Sequence, residues 1–112
     1  MQDYIIRIID EGEVVQTIET GKQSEAMIEV AKYLSDEHNL LAEVEIPYSP
    51  GRRKHPLIGK MNSLDELPPQ RHEFTEECYV DTLANKETKK RNIRRIIEAV
   101  GFEAGFDGLW NN

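Results

Sequence analysis

Six basic side chains fall within the eleven positions from Asn85 to Arg95: Lys86, Lys89, Lys90, Arg91, Arg94 and Arg95. Lysines in the first turn of a helix oppose the positive end of its macrodipole, at a cost of roughly 0.3–1 kcal/mol each when exposed. A placement that works against the helix invites a ligand. Free N–H groups at the helix start, together with ammonium and guanidinium groups, make an anion site suited to a phosphate or to the carboxylates of a partner. Arg52, Arg53, Lys54 and Lys60 form a second basic group that could extend the patch. The competing reading is a solvated helix face that pairs with the acidic half of the same chain.

Catalytic chemistry has less to stand on. The chain has no glycine-rich phosphate loop, no Gly-x-Ser-x-Gly elbow, no His-Glu-x-x-His and only one cysteine, Cys78. His72 with Glu73, Glu76 and Glu77 is the best candidate metal cluster, because His72 and Glu76 would share a face of either a helix or a strand. Two ligands do not make a site, however. Glu43 and Glu45 would share the exposed face of a strand without a companion acid or base. A single buried cysteine is ordinarily a small hydrophobe. His38, at the end of an apolar helical stripe, is placed as a cation favourable to a helix C-terminus rather than as a ligand. These residues predict neither an enzyme, a bound metal nor a cofactor.

The charge is unevenly divided. Of the net −7, residues 1–50 carry 11 acidic and 3 basic side chains, residues 51–95 carry 7 and 11, and residues 96–112 carry 3 and none. Such asymmetry concerns association rather than fold. It suits a non-enzymatic interaction module, of the inhibitor, immunity or small regulatory kind, that binds an oppositely charged protein, either another protein or a second copy of itself. The alternative is a nucleic-acid-binding protein using the helix 86–95 and the loop 52–60. Against it stand the overall negative charge, which opposes phosphate attraction, and the scarcity of aromatics beside the loop cations. A small metal-dependent enzyme around His72 is the third reading.

The elements that must position these groups are legible in the hydrophobic periodicity. A chain of 112 residues folding as one domain (1–112) buries roughly two-thirds of its unfolded surface, enough for one core. Tyr4 to Ile9 and Val14 to Ile18, separated by Asp10-Glu11-Gly12-Glu13, predict a β-hairpin whose first strand is apolar on both faces and therefore central. Met27, Val30, Ala31 and Leu34 predict a helix over 24–37, capped by Ser24 or by Thr20 with Gln23, and ended by a left-handed Asn39. Alternation from Leu40 to Tyr48 predicts a strand. Five prolines punctuate a long basic loop over 47–73, in which Ser63 to Leu67 could form a helical turn. Phe74 to Leu83 predicts a further strand. Asn85 predicts the cap of a C-terminal helix whose core stripe is Ile93, Ile96, Ile97 and Val100, with Gly101 and Phe102 closing it in a Schellman motif. Residues 103–112 form a glycine- and aromatic-rich tail that either covers a sheet face or docks on a partner.

The expected class is α+β: hairpin, helix, strand, long loop, fourth strand and C-terminal helix, with an antiparallel or mixed sheet and the helices on one face. No apolar run spans a membrane, and the N-terminus lacks the basic segment of a signal peptide. With one cysteine, a reducing cytoplasm is the expected location.

Overall fold

The computed structural model describes residues 3–51, 55–61, 70–75 and 77–111. Strands β1 (Tyr4–Asp10) and β2 (Glu13–Thr20) form the expected hairpin. Its two central turn residues, Glu11 and Gly12, both have positive φ (50° and 83°), the pattern whose twist matches the flanking strands. A bulge near Val15 shifts the register between Ile8↔Gln16 and Ile9↔Val14. Strand β1 is central as its two apolar faces predict, because a third strand, β6 (Glu103–Gly108), pairs antiparallel along its other side, giving the order β2-β1-β6.

That third partner comes from the stretch read as a tail. It folds back as the sheet's edge rather than over a sheet face. A short 3-10 turn, Leu109–Asn111, then buries Trp110 against Tyr4 and Phe106. The glycines of this segment have separate duties. Gly108 turns the chain at φ 63°, and a Cβ there would run into the Asp3 carbonyl oxygen. Gly105 lies within the strand, where a Cβ would meet Ile9 and Arg7 at ordinary contact distance.

Helix α1 (Gln23–His38) and helix α3 (Lys86–Ala99) both pack on the face of this sheet that presents Ile6, Ile8 and Ile18. Helix α1 buries Ala26, Met27, Val30, Ala31 and Leu34, the stripe expected from a 3.6-residue period. Its N-cap is Lys22 without a side-chain bond, so neither Ser24 nor Thr20 caps it; the Thr20 hydroxyl donates instead to the Lys22 carbonyl at 2.7 Å. Asn39 ends α1 in the left-handed region (φ 54°, ψ 43°). In α3 the Asn85 side chain accepts from the Thr88 N–H at 2.9 Å. Its far end closes with Gly101 N–H to Glu98 O (3.0 Å) and Phe102 N–H to Ile97 O (3.2 Å), the two bonds of a Schellman motif.

The strand expected over 40–48 is absent. Leu40–Glu43 instead forms a four-residue helix, α2, with Leu40 buried. Leu40, Leu41 and Val44 also have the spacing of one helical turn, and a short apolar run cannot choose between the two periods. Pro47 lacks the N–H that a ladder would use, so pairing begins only at Tyr48, which bridges Ile58.

A second antiparallel sheet, ordered β3-β5-β4, is built from β3 (Ile58–Lys60), β4 (Arg71–Glu73) and β5 (Cys78–Asp81). The expected strand over 74–83 is thus β5, buried throughout. The segment 47–73 contains two short strands rather than loop alone. Gly59 permits this packing, since a Cβ there would lie 2.5 Å from the Tyr79 hydroxyl oxygen. The helical turn suggested for 63–67 lies outside the described residues. The described residues form a small single α+β domain with two antiparallel sheets and three helices around one hydrophobic cluster.

Candidate functional site

The basic helix face is engaged with its own protein. Lys89 Nζ lies 3.4 Å from Gln23 Oε1, and the Gln23 amide in turn donates to the Tyr4 hydroxyl at 3.1 Å. Lys90 Nζ reaches the Trp110 carbonyl and Asn111 Oδ1, both at 3.5 Å, and stands 5.4 Å from the centre of the Phe106 ring. Arg94 covers the same ring at 5.3 Å. Arg95 turns to the opposite flank of α3, where Nη1 donates to the Pro50 carbonyl at 3.3 Å and the guanidinium sits under Gly51. Lys86 is also engaged. Arg91 is exposed between the two flanks. The polar contacts of 3.3–3.5 Å are long and individually weak, but both flanks of the helix use cations to hold chain segments that arrive from elsewhere.

In the first turn of α3 the Asn85 side chain takes the Thr88 N–H, one of the donors expected to serve an anion. Of the loop cations, Arg52, Arg53 and Lys54 lie outside the described residues, while Lys60 ends β3 far along the chain from the helix and opposite Cys78.

The residues with metal or nucleophilic potential are also dispersed. His72 is exposed on β4 opposite Val80, Cys78 is buried on β5, and Glu76 lies outside the described residues. No group of three His, Cys, Asp or Glu side chains among the described residues could hold a metal ion. Glu43 ends α2, and Glu45 follows in irregular chain, so the two do not share a strand face. His38 is a packing residue: Nε2 lies 3.0 Å from the Tyr33 hydroxyl, and the ring meets Phe102 edge-on at 4.7 Å. Burial, with a smaller push from Glu37, raises the Tyr33 phenol above its ordinary value. Tyr48 is likewise raised by burial; Arg95 pulls it down and Glu98 pushes it up.

An open cleft of about 630 Å³ lies between the α2 region and the second sheet. Its apolar wall is Leu41, Val44, Ile46 and Cys78, and its polar rim includes Glu45, Lys60, Thr75 and Glu77.

None of the described candidate site residues lies on the outer face of the first sheet, although the acidic hairpin is one of the surfaces on which a partner could dock. Since Ile6 and Ile8 point to the helices, Ile5, Arg7 and Ile9 point away, beside their antiparallel partners Glu19, Thr17 and Val14 on β2 and Asp107, Gly105 and Glu103 on β6. No helix among the described residues packs on that side. Val14 and Val15 are 49% and 40% exposed. Arg7, the cation within this face, is held by Asp107 at 3.0 Å. The Gly108 N–H, then Arg7, lower the Asp107 carboxyl below its ordinary range. What remains is an apolar strip of Ile5, Ile9, Val14 and Val15 bordered by Glu19, Glu103 and Asp107. The alternation Ile5-Arg7-Ile9 carried the signal, but it was spent on explaining why β1 is central.

No protein family, curated protein or solved structure matches the chain. No helix among the described residues is long and apolar enough to cross a membrane.

Proposed function

We propose that the protein is a non-enzymatic interaction module that binds a positively charged protein partner through the outer face of its first sheet. One observation carries this reading: the uncovered face combines exposed valines with a border of carboxylates. Apolar surface rimmed by charge is the composition of a docking site. The charge division supports the same side of the molecule, since residues 1–50 carry 11 acidic and 3 basic groups. The cations of α3, by contrast, have intramolecular work, which weakens the case for them as a nucleic-acid stripe.

The test compares three forms of the full chain in affinity capture from the native host: wild type, the double variant Val15→Lys/Glu19→Lys, and Arg91→Ala. Circular dichroism establishes that each is folded. The expected result is a stoichiometric partner of basic composition that is lost from the double variant and kept by Arg91→Ala. A partner lost only from Arg91→Ala, or salt-sensitive nucleic-acid binding in a mobility shift with no protein partner, overturns the proposal.

A further inference from the structure

The two edges of the first sheet are not alike. Along β6 the Asn111 amide donates to the Phe106 carbonyl at 3.0 Å, and the Lys90 ammonium and the 3-10 turn crowd the same side. Along β2, alternate main-chain N–H and C=O groups point away from β1, and among the described residues no strand lies beyond them. Only Ile18 is buried and only Thr20 half-buried.

Proteins ordinarily guard such an edge with lysine, proline, a bulge or inward-pointing charge. Strand β2, Glu13-Val14-Val15-Gln16-Thr17-Ile18-Glu19-Thr20, has neither lysine nor proline. Its bulge sits at the hairpin end, near Val15, and leaves Gln16 to Thr20 in regular register with β1. The guards it does have are carboxylates: Glu13 and Glu19 on the strand, Asp10 and Glu11 at the turn, and the exposed Glu25 and Glu29 on α1, which packs against β2. Arg7, the one cation on β1, is paired with Asp107. Carboxylates repel a second copy, because two acidic edges would face each other between molecules of net charge −7. They do not repel a strand that carries lysine or arginine.

We infer that the free edge of β2 accepts an extended, lysine- or arginine-bearing segment of another protein as a fourth strand of the first sheet. This rests on the acidic sheet face being the docking surface and adds the mode and the chemistry of the partner. Main-chain hydrogen bonds to β2 supply the register. Alternate side chains of the incoming strand meet Val14 and Val15 on the apolar strip and the Glu19 carboxylate beside it.

The test titrates the isotope-labelled full chain with a peptide of about eight residues alternating lysine and valine, the length of an ordinary strand. A second peptide of the same sequence carries N-methyl groups on alternate residues, which keeps the charge and removes the donors. The expected outcome is slowed amide exchange at alternate residues of β2, with affinity at least about tenfold lower for the methylated peptide, as the loss of two or three main-chain bonds requires. Equal affinity for both peptides, perturbation centred on β6 or α3, or no binding overturns strand addition. So does a sedimentation profile in which the chain dimerises through the same edge and Val15→Lys abolishes the dimer. Failure here with a native partner still captured and lost from Val15→Lys/Glu19→Lys rejects the strand mode alone and leaves the acidic face as the docking surface.

Discussion

Replacing Asn92 by leucine should stabilise the protein. Asn92 lies in α3 next to the core residues Ile93, Ile96 and Ile97 and is 1% exposed, yet neither Oδ1 nor Nδ2 has a hydrogen-bond partner among the described residues. A buried, unmatched amide costs about 1–3 kcal/mol in lost hydration. Leucine has the same branching and the same number of side-chain heavy atoms, so it removes that cost without opening a cavity. Its higher helix propensity adds about 0.3–0.5 kcal/mol. The methyl groups are bulkier than the amide atoms, and crowding offsets part of the gain, by up to about 1 kcal/mol. The net expectation is about 1–2 kcal/mol, or an increase in Tm on the order of 5–10 °C for a domain of this size. Alanine gains the propensity but leaves a gap, so Asn92→Ala should fall below Asn92→Leu. Urea unfolding followed by circular dichroism, with unchanged slope, measures both. If Asn92→Leu is instead less stable than wild type by more than about 1 kcal/mol, the amide has a bound partner and the reasoning is wrong.

Further predictions concern the packing and the sheet. Ile96→Ala or Ile97→Ala, each at a fully buried position, should cost about 2–5 kcal/mol in the same assay. Gly108→Ala should cost at least about 1–3 kcal/mol, because it combines a positive φ with a clash against the Asp3 carbonyl, whereas Gly105→Ala should be milder. Asp107 should titrate by NMR below its ordinary value of 3.8 and move back toward it in Arg7→Ala. Since its folded value is the lowered one, any stability it contributes is present above the ordinary value and disappears as pH falls through the folded value, and its exposure keeps that contribution small. The Tyr48 phenol, raised by burial and offset by Arg95, should ionise at still higher pH in Arg95→Ala, read from its ultraviolet difference spectrum.

The parts of the fold that could be read from the sequence are those in which several local signals agree. At α3 the Asn85 cap, the Ile93-Ile96-Ile97 stripe and the Gly101 terminator all demand the same helix, and the hairpin has β-branched runs on both sides of a glycine turn. Residues 40–48 failed because a short run fits two periods, and tertiary contact around Leu40 chose the helical one. The tail was misjudged for a different reason. Gly105 and Gly108 read locally as breakers, but β1 supplies a long-range partner that no local rule contains. The candidate site suffered from the same blindness. Charge can be counted along the chain, whereas the engagement of Lys90 and Arg94 by Phe106 and the emptiness beside β2 exist only once the sheet is closed.

The pairing of Tyr4 with Gly108 sets a schedule for the growing chain. Strand β1 ends at Asp10 and its second partner begins at Glu103, so at about 5–20 residues per second a ribosome spends on the order of 5–20 s between making the two. The hairpin can close within microseconds of emerging. For that whole interval one side of β1, flanked by Ile5, Ile6, Ile8 and Ile9, has hydrogen-bonding groups and apolar side chains without their final partner. Arg7 and the acidic turn interrupt that surface, and charge on a strand edge opposes pairing between copies until β6 arrives.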